Sequence, residues 1–343
     1  MGGLRAELSH LLHNSLAFTT SKAYAKHFLY LVRFLVLVGW LPRLKDVAFM
    51  RNHGLPVYCA FLCRTCSGDT VKTYLHGIRY AYLSLGLANP LAGNFRVKQI
   101  IKAQQRARPS GTNRKMPITF DMLKVLVACS DINNPFHVAC ICASLVAFFA
   151  FLRKSNVSVK LNDVWQAHSL SRLDVRLDYP RQLLWVTLHM TKTRGHTVVK
   201  PLRIPIPSIP GHPLDPVQWW IRHLFLSPMS PGEHPVAVHA FAYARAPSNV
   251  QGLPLTPLSH SAFRAFLRQK LSQGIPGLQV SKYSHQSFRR GGATFAFSCN
   301  LPSVFIKAMG DWLSDSYMRY IELDDSIRAS VAHRFSRAIL AMR

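Results

Sequence analysis

An apolar run at residues 138–152, interrupted only by Ser144, constrains the fold of this chain more than any other segment. It is too short to span a bilayer, which needs about 20 apolar residues. Arg153 and Lys154 follow it directly. Asn134 and Pro135 supply a helix start, since Asn caps helices and Pro suits the first turn. The run therefore predicts a helix buried on all sides inside a sizeable core, and no membrane association.

The first 107 residues predict a helical domain. Apolar residues recur three and four positions apart over three segments, which begin at Thr19 or Thr20, at Thr70 and at Phe95 and run to Trp40, Leu85 and Arg106. Residues 108–117 are polar, basic and rich in Pro, Gly and Ser, which is typical of a linker. The predicted organisation is a helical domain at 1–107, a basic linker at 108–117 and a second domain at 118–343.

The second domain changes its periodicity after Asn162. Residues 173–177, 183–189 and 197–206 alternate or are β-branched, with turn signals at Tyr179-Pro180 and Arg194-Gly195, and they predict a small three-stranded sheet. Thr119 is expected to cap a helix that runs through Ala128. Residues 226–256 hold many Pro and Ser and predict a long surface loop. Helical patterns return after residue 213 and include a helix at 315–322 and a last helix at 324–340. The fold class predicted from these patterns is mainly α with a small antiparallel β-sheet.

The charge of the chain indicates a polyanionic partner. There are 42 Lys and Arg residues against 15 Asp and Glu, a formal net charge of +27, while hydrophobic residues make up 49% and exclude disorder. Each cation alone is an ordinary solvated charge, but together, with few acids to balance them, they predict a face that follows phosphates. The cations assigned to this DNA-binding face are Lys22, Lys26, Lys72, Arg79, Lys98, Lys102, Arg106, Arg108, Arg114 and Lys115.

The cysteines predict reduced thiols in an intracellular protein. There are seven of them, an odd number, and they are irregularly spaced and mostly within apolar helical stretches. Cys63 and Cys66 form a single C-x-x-C pair, whereas a structural zinc site would need a second pair of ligands. No metal site is predicted.

Two isolated cations in the second domain carry the first chemical signal. Arg153 ends the buried apolar run, where an unpaired guanidinium is costly, so a carboxylate or a ligand phosphate should meet it. Lys192 stands within Thr-Lys-Thr at the tip between two predicted strands.

A second cluster follows near the end of the chain. Arg289 and Arg290 precede two glycines, residues 291–292, which would let a helix pack closely against another backbone. Trp312 follows Gly-Asp, and Tyr320 lies eight residues beyond it. On its own, such a tyrosine is most often a half-buried amphipathic side chain.

Together these segments resemble the tyrosine recombinase (phage integrase) superfamily, and most of all the recombinases of DIRS-like retrotransposons and Crypton-type elements. The matching segments, in family order, are Phe-Leu-Arg-Lys-Ser-Asn at 151–156, Thr-Lys-Thr at 191–193, Ser-Phe-Arg-Arg-Gly-Gly-Ala-Thr-Phe-Ala-Phe at 287–297, and the Gly-Asp-Trp and Tyr-Met-Arg-Tyr-Ile stretches within 310–321. The resemblance is strong over 118–343 and only architectural over 1–107. It implies a helical core-binding domain and an α+β catalytic domain that form a C-shaped clamp on double-stranded DNA.

The resemblance implies a role for each motif residue. Tyr320 would attack a phosphodiester, leaving a 3′-phosphotyrosine and a free 5′-hydroxyl. Arg153 and Arg289 would hold the non-bridging oxygens, and Lys192 would protonate the leaving oxygen. Trp312 would pack near the phosphate and donate a hydrogen bond to it. The covalent intermediate conserves the bond energy, so no metal, ATP or other cofactor is expected.

Two positions near the second arginine need separate interpretation. Relatives carry His three residues before that arginine, where this chain has Gln286, which can donate a hydrogen bond but cannot act as an acid or base. His285 stands beside it as a possible substitute. Arg290 is expected to pair structurally or to contact DNA. Tyr317, the competing hydroxyl, fits the family spacing poorly.

The leading hypothesis is a nuclear recombinase, in a reducing intracellular compartment, that integrates or excises a mobile element as a homodimer or homotetramer on paired sites. The helix at 324–340 could dock on a neighbouring protomer. Gln286 supports the alternative of a catalytically impaired or domesticated DNA-binding protein. A type IB topoisomerase, which shares the site chemistry, is a third hypothesis.

Overall fold

The computed structural model of the chain describes residues 15–108, 114–160, 168–190, 200–245 and 255–322, together with Glu7 and His333. The chain forms two compact units, Met1–Asn113 and Arg114–Arg343, and their division falls within the predicted linker. Within the described ranges, no helix is long and apolar enough to cross a membrane. Lys192 and nearly all of the predicted helix at 324–340 lie outside the described residues.

The first unit is helical. Its main helices are α1 (Phe18–Leu37), α2 (Leu55–Cys63), α3 (Gly68–Ser84) and α4 (Phe95–Ala107), with short helical turns at Leu41–Arg43 and Val47–Phe49 and a π-helical stretch at Met50–Gly54. Side chains of Ser67 and Asn94 cap α3 and α4 by accepting backbone N–H groups. Ala17, not Thr19 or Thr20, precedes α1, and it makes no side-chain cap. Leu31, Leu35 and other apolar residues of the four helices form one core.

The second unit combines helices with one sheet. Its elements are α5 (Phe120–Ala128), α6 (Pro135–Phe149), α7 (Lys154–Val157), β1 (Val175–Asp178), β2 (Leu183–Leu188), β3 (Leu202–Pro207), α8 (Pro216–Leu226), α9 (His260–Gly274), α10 (His285–Ser298) and α11 (Ser303–Met309), with 3-10 turns at Arg172–Asp174, Val280–Lys282 and Asp315–Arg319. The predicted fold class, mainly α with a small antiparallel sheet, is confirmed.

Helix α6 lies at the centre of the second unit and packs against α8 and α10. Twelve of its residues are buried, so it is apolar on every side, as the run at 138–152 predicts. The Asn134 side chain caps it. The helix ends at Phe149, and Phe151 then takes a left-handed φ of 50°. Arg153 therefore does not end the helix as predicted; it is the N-cap residue of α7.

The sheet is antiparallel in the order β1-β2-β3. Val186 on β2 pairs with Val175 on β1 and with Ile204 on β3. Because side chains alternate across a strand, these residues share one face, which faces the core of the second unit.

Two smaller predictions need correction. The segment 226–256 was expected to be a surface loop, but Phe241 within it is fully buried. All seven cysteines are free, yet their burial varies from fully buried Cys59, Cys140 and Cys142 to exposed Cys299.

Candidate active site

Helix α10 carries the Arg-Arg-Gly-Gly segment and is pressed against its neighbours at the two glycines. A Cβ on Gly291 would come within 2.0 Å of the Ile118 carbonyl oxygen, and one on Gly292 within 1.9 Å of the Phe148 carbonyl oxygen. The predicted close backbone packing is confirmed. It holds the side chain of Arg289, which precedes the glycines, against the loop that follows α6.

Arg289 is a buried cation with backbone and aromatic partners. Only 4% of the surface of Arg289 is exposed. Nη2 donates to the Gly310 carbonyl oxygen at 2.6 Å and Nη1 donates to the Phe151 carbonyl oxygen, while Nε has no partner among the described residues. Burial, and then the charge of Arg153, lower the pKa of Arg289 to about 10, so it stays protonated at neutral pH. No carboxylate lies within 4 Å of it in the described ranges, which leaves its charge available for an anion.

Arg153 meets a carboxylate that the sequence did not single out. Its Nη1 is 3.9 Å from Oδ2 of Asp311, whose side chain is 3% exposed. Asp311 takes a φ of 52°, a left-handed conformation that Asp and Asn tolerate better than most residues. The backbone N–H of Arg153 donates to Asn156 Oδ1 at 3.0 Å, which fixes the start of α7. The only signal for Asp311 was its place in the Gly-Asp-Trp segment.

Trp312 and Tyr320 pack around the guanidinium of Arg289. The Trp312 ring centroid lies 4.0 Å from Arg289 Cζ and 5.1 Å from the Tyr320 ring centroid, and Arg289 Cζ lies 5.3 Å from the Tyr320 ring. The resemblance implies that Trp312 packs near the phosphate and donates to it; in the structure its indole stacks on Arg289, and Trp312 is not among the residues that line the cavity described below. Cation–π contact of this kind favours the charged guanidinium and fixes its plane.

Tyr320 follows a 3-10 turn and does not lie within a helix. The helix predicted at 315–322 is wrong: the turn Asp315–Arg319 ends at Tyr320, whose carbonyl accepts the Thr294 hydroxyl at 3.2 Å. Tyr320 is half-buried and lines the cavity, whereas Tyr317 is buried among Trp312 and its neighbours. Of the two candidate hydroxyls, the structure brings that of Tyr320 to the cavity.

An open cavity of about 770 Å³ in the second unit is lined by Arg153, Arg289 and Tyr320 together. Its walls contain six Lys and Arg residues and no Asp or Glu among the described residues. They are Lys115, Leu152, Arg153, Lys154, Lys160, His260, Ser261, Arg264, Ser284, His285, Gln286, Arg289 and Tyr320. Sequence reasoning assigned no site role to Lys154, which stands within the 151–156 segment, or to Lys160, Arg264 and His260, which no motif marks. The cavity is suited to a polyanion.

Gln286 and His285 both line the cavity, but in different ways. Gln286 is exposed, whereas His285 is 7% exposed and packs edge-on against Phe263 at 4.8 Å between ring centroids. Burial, and then the charges of His260, Lys154 and Arg264, lower the pKa of His285 to about 3. Its imidazole is therefore neutral at physiological pH and cannot serve as a proton donor in the way that a cationic histidine would.

Arg290 does not reach the surface, which corrects its assignment to the DNA-binding face. It is 3% exposed and its Nη2 forms an ion pair with Glu322 Oε2, while Nη1 contacts the Arg319 carbonyl at 3.5 Å. Of the two roles that the sequence allowed, the structure supports the structural pair.

The other predicted DNA-binding cations keep their side chains in solvent. Lys115 is the exception: it is partly buried, donates to the Ser281 carbonyl at 2.9 Å and lines the cavity. The exposed ones are Lys22, Lys26, Lys72, Arg79, Lys98, Lys102, Arg106, Arg108 and Arg114.

Comparison with known proteins places the fold. No protein-family model matches the chain, and no curated protein matches it. Among solved structures, the Tn1549 transposon integrase in complex with transposon right end DNA matches at 11% identity, covers 92% of this chain and 98% of that chain, and has a TM-score of 0.54. The XerH site-specific recombinase bound to palindromic difH substrate matches at 12% identity, covers 82% and 71%, and has a TM-score of 0.52.

Both of these proteins are tyrosine recombinases. At this level of identity the similarity is one of fold, so the chain has the tyrosine recombinase fold. Its basic cavity, with two arginines and a tyrosine, lies within the unit that contains the antiparallel sheet.

Proposed function

We propose that the protein is a site-specific DNA recombinase that cuts and rejoins duplex DNA through a 3′-phosphotyrosine on Tyr320. One observation carries the proposal. Arg153, Arg289 and Tyr320, which are far apart in sequence, line one cavity whose described walls hold six cations and no carboxylate. Such a surface attracts phosphate, and the tyrosine is the nucleophile at hand.

The chemistry follows from the positions of these groups. The Tyr320 hydroxyl gives up its proton to solvent and attacks a DNA phosphorus, and the bond to the 5′-oxygen breaks. A phenol has a pKa near 10 and is a weak nucleophile at neutral pH, so the attack needs help from the surroundings. Arg289 and Arg153 provide it by binding the non-bridging oxygens as negative charge builds on them. Lys192 protonates the departing 5′-oxygen, and the second transesterification reverses these steps.

The neighbours of the two arginines prepare them for this role. Trp312 stacks on Arg289, and two backbone carbonyls hold its Nη atoms, so little side-chain freedom is lost when phosphate arrives. Asp311 orients Arg153 from 3.9 Å without lining the cavity. Gln286, exposed at the cavity wall, donates its amide to a phosphate oxygen in place of the histidine of relatives.

The partners and setting are part of the same proposal. The exposed cations of the first unit bind double-stranded DNA, and a homodimer or homotetramer acts on paired sites. The 287–297 segment supports a mobile-element recombinase of the DIRS or Crypton kind, which integrates or excises its element in the nucleus. The helix at 324–340 docks on a neighbouring protomer.

Covalent trapping on nicked suicide DNA tests the chemistry. The wild type should form a protein–DNA adduct, Tyr320→Phe should form none, and Tyr317→Phe should retain it. An adduct that survives Tyr320→Phe overturns the proposed nucleophile. Tight, salt-sensitive DNA binding without any adduct supports the alternative, a catalytically impaired DNA-binding protein.

Truncation after Leu323 tests assembly separately. If 324–340 docks on a neighbour, the truncated chain should still bind DNA as a monomer but form fewer dimers and tetramers on it. Unchanged assembly in an electrophoretic or light-scattering measurement contradicts trans-docking.

A further inference from the structure

The basic cavity contains two separate electrostatic neighbourhoods along α10. The charged and polar groups that act on Arg289 are Arg153, Tyr320 and Asp311. Those that act on His285 are His260, Lys154 and Arg264, so the two sets share no member. His285 and Arg289 are four residues apart on one helix, which is about one turn, or about 6 Å. The cavity of about 770 Å³ is lined by members of both sets.

The second neighbourhood is built around the start of α9. The backbone N–H of His260 donates to the Val159 carbonyl at 2.8 Å, and that of Val159 donates to the Leu258 carbonyl at 2.9 Å. Ser259 caps the helix by accepting the Ala262 N–H at 3.2 Å. These bonds join the beginning of a fifteen-residue helix to the stretch of chain that contains Lys160. The N-terminal end of the helix dipole favours an anion at this place.

The ring of His260 is held in place by Ser158. Its Nδ1 lies 2.6 Å from Ser158 Oγ, which also donates to the Lys154 carbonyl at 3.2 Å. A hydroxyl has one proton and a carbonyl can only accept, so both contacts are satisfied when Nδ1 carries a proton. Nε2 then donates to an anion when the ring binds a second proton, which a phosphate beside it stabilises. The ring is thereby oriented at the wall of the cavity, beside Lys160 and Arg264.

The second neighbourhood lacks an anion among the described residues. Lys154, Lys160 and Arg264 are exposed at the wall, and no described Asp or Glu lines the cavity. His285, more than nine-tenths buried, lines the same wall, and its Nε2 has no hydrogen-bond partner in the described ranges. Cations gathered around a neutral, unsatisfied imidazole indicate that a negative group belongs here.

We infer that this second neighbourhood, His260 with Lys154, Lys160 and Arg264, binds the phosphate that adjoins the scissile phosphate on the same DNA strand. The inference rests on the proposed function, since it takes Arg153 and Arg289 as the scissile position. The spacing permits it: consecutive phosphates of one strand lie at least about 3.4 Å apart, which is their advance along the duplex axis, and the two neighbourhoods are about 6 Å apart. The adjoining contact fixes the register of the strand, so that Tyr320 meets one phosphorus and not the next.

Single neutral linkages in the DNA test this directly. Suicide duplexes are prepared with one uncharged methylphosphonate at the phosphate immediately 5′ or immediately 3′ of the cleavage position. For the wild type, one of the two should weaken binding and slow adduct formation about 10-fold, the usual scale for a lost charged hydrogen bond. The double variant Lys160→Ala, Arg264→Ala should lose a similar factor on unmodified DNA and less than about 2-fold more on the modified duplex.

Controls separate this inference from the proposed function. Lys124→Ala, an exposed cation of the second unit outside the cavity, should keep the wild-type sensitivity to the neutral linkage. His260→Asn, which retains a donor for Ser158 but lacks Nε2, should lose part of that sensitivity. The proposed contact with the adjoining phosphate is wrong if neither neutral linkage affects the wild type. It is also wrong if the effect of the linkage is the same in the double variant as in the wild type. The proposed function is contradicted if no adduct forms on unmodified DNA, or if the adduct forms without Tyr320. In that case the binding measurements still test the contact with the adjoining phosphate.

Discussion

Arg289 and Arg290 are neighbours on α10 and equally buried, yet their surroundings differ in one respect that decides what each can do. Arg290 pairs with the carboxylate of Glu322. Arg289 contacts two backbone carbonyls, an indole and a phenol, and it lines the cavity. The charge of Arg290 is paired with a carboxylate, whereas no carboxylate in the described part of the chain lies within 4 Å of Arg289.

The difference shows that the partners of a buried cation indicate whether it serves the fold or binds a ligand. A buried charge without a countercharge is costly, and a chain retains it where a ligand supplies the missing charge. Carbonyl oxygens and aromatic faces lower that cost only in part, because they carry partial charges. The contrast between the two arginines is therefore a stronger sign of an anion site than their shared burial.

The largest expected effect is the loss of cleavage in Arg289→Lys. Lysine keeps the charge but cannot bind two phosphate oxygens with a planar fork, so adduct formation should slow about 1,000-fold. The change in the free energy of unfolding should be smaller than the change in the activation free energy of cleavage. Single-turnover trapping on suicide DNA measures the rate, and urea unfolding checks the fold.

Arg290→Lys is the matched control for this prediction. It should leave the rate of adduct formation within about 10-fold of the wild type, because Arg290 does not line the cavity. Equal losses in the two variants would show that the arginines act as one unit.

The next effect in size is on stability, in Glu322→Gln. This change leaves the Arg290 guanidinium buried without its countercharge, which should lower the free energy of unfolding by about 2–3 kcal/mol. The estimate stays below that for a fully buried pair because the Glu322 side chain is 40% exposed. Chemical denaturation measures it.

A double variant refines this result. In Arg290→Met, Glu322→Gln the buried charge is gone, so part of the stability should return. If Glu322→Gln alone costs nothing, the contrast between the two arginines is weaker than the geometry indicates.

The sequence predicted much of the fold because its strongest signals are local. The apolar run predicted α6, Thr119 is the N-cap of α5, and the two glycines of α10 lie against carbonyl oxygens of Ile118 and Phe148. Periodicity and capping act within a few residues, so they can be read without tertiary contacts.

The details of the site were harder to predict because they depend on helical phase and on backbone strain. Consecutive residues of a helix point about 100° apart, so the start of α10 at His285 decides that His285 is buried and Gln286 exposed. The same phase separates Arg289 from Arg290. Asp311 meets Arg153 only because its backbone is left-handed, a conformation that the sequence does not reveal.

The third effect is a dependence of the stability on pH, caused by buried histidines. In the folded protein these histidines stay neutral, whereas Arg289 is buried as a charged group. Burial lowers the pKa of His223 to about 3, with further lowering by Arg172 and His239. The unfolded chain titrates near 6.5, so below that pH it takes up a proton that the folded chain does not bind. The free energy of unfolding should therefore fall as pH drops, by about 2 kcal/mol between pH 7 and 5 for this residue.

Urea unfolding at pH 7, 6 and 5 measures this dependence. His223→Gln should show a flatter profile over that range, whatever its stability at pH 7. An unchanged profile would mean that the histidine charges without cost in the folded protein.

A smaller effect is expected for Asp311→Asn, which tests whether Arg153 resembles Arg290 or Arg289. Asn tolerates the left-handed backbone, so the fold should persist while the carboxylate charge is lost. At 3.9 Å the ion pair with Arg153 is loose, and adduct formation should slow about 10-fold or less through misplacement of the guanidinium. A loss as large as that of Arg289→Lys would place Asp311 itself among the groups that the reaction requires.

The smallest effect is expected for the cations of the first unit, which are exposed to solvent, whereas Arg289 and Arg290 are both buried. Lys98→Ala removes a charge that solvent already stabilises, so neither stability nor the rate of adduct formation at saturating DNA should change measurably. If Lys98 contacts a DNA phosphate, affinity should fall a few-fold and the slope of log affinity against log salt should decrease by about 0.9. Titrations at four salt concentrations measure that slope. An unchanged slope would remove Lys98 from the DNA-binding face and leave the cavity as the better supported anion site.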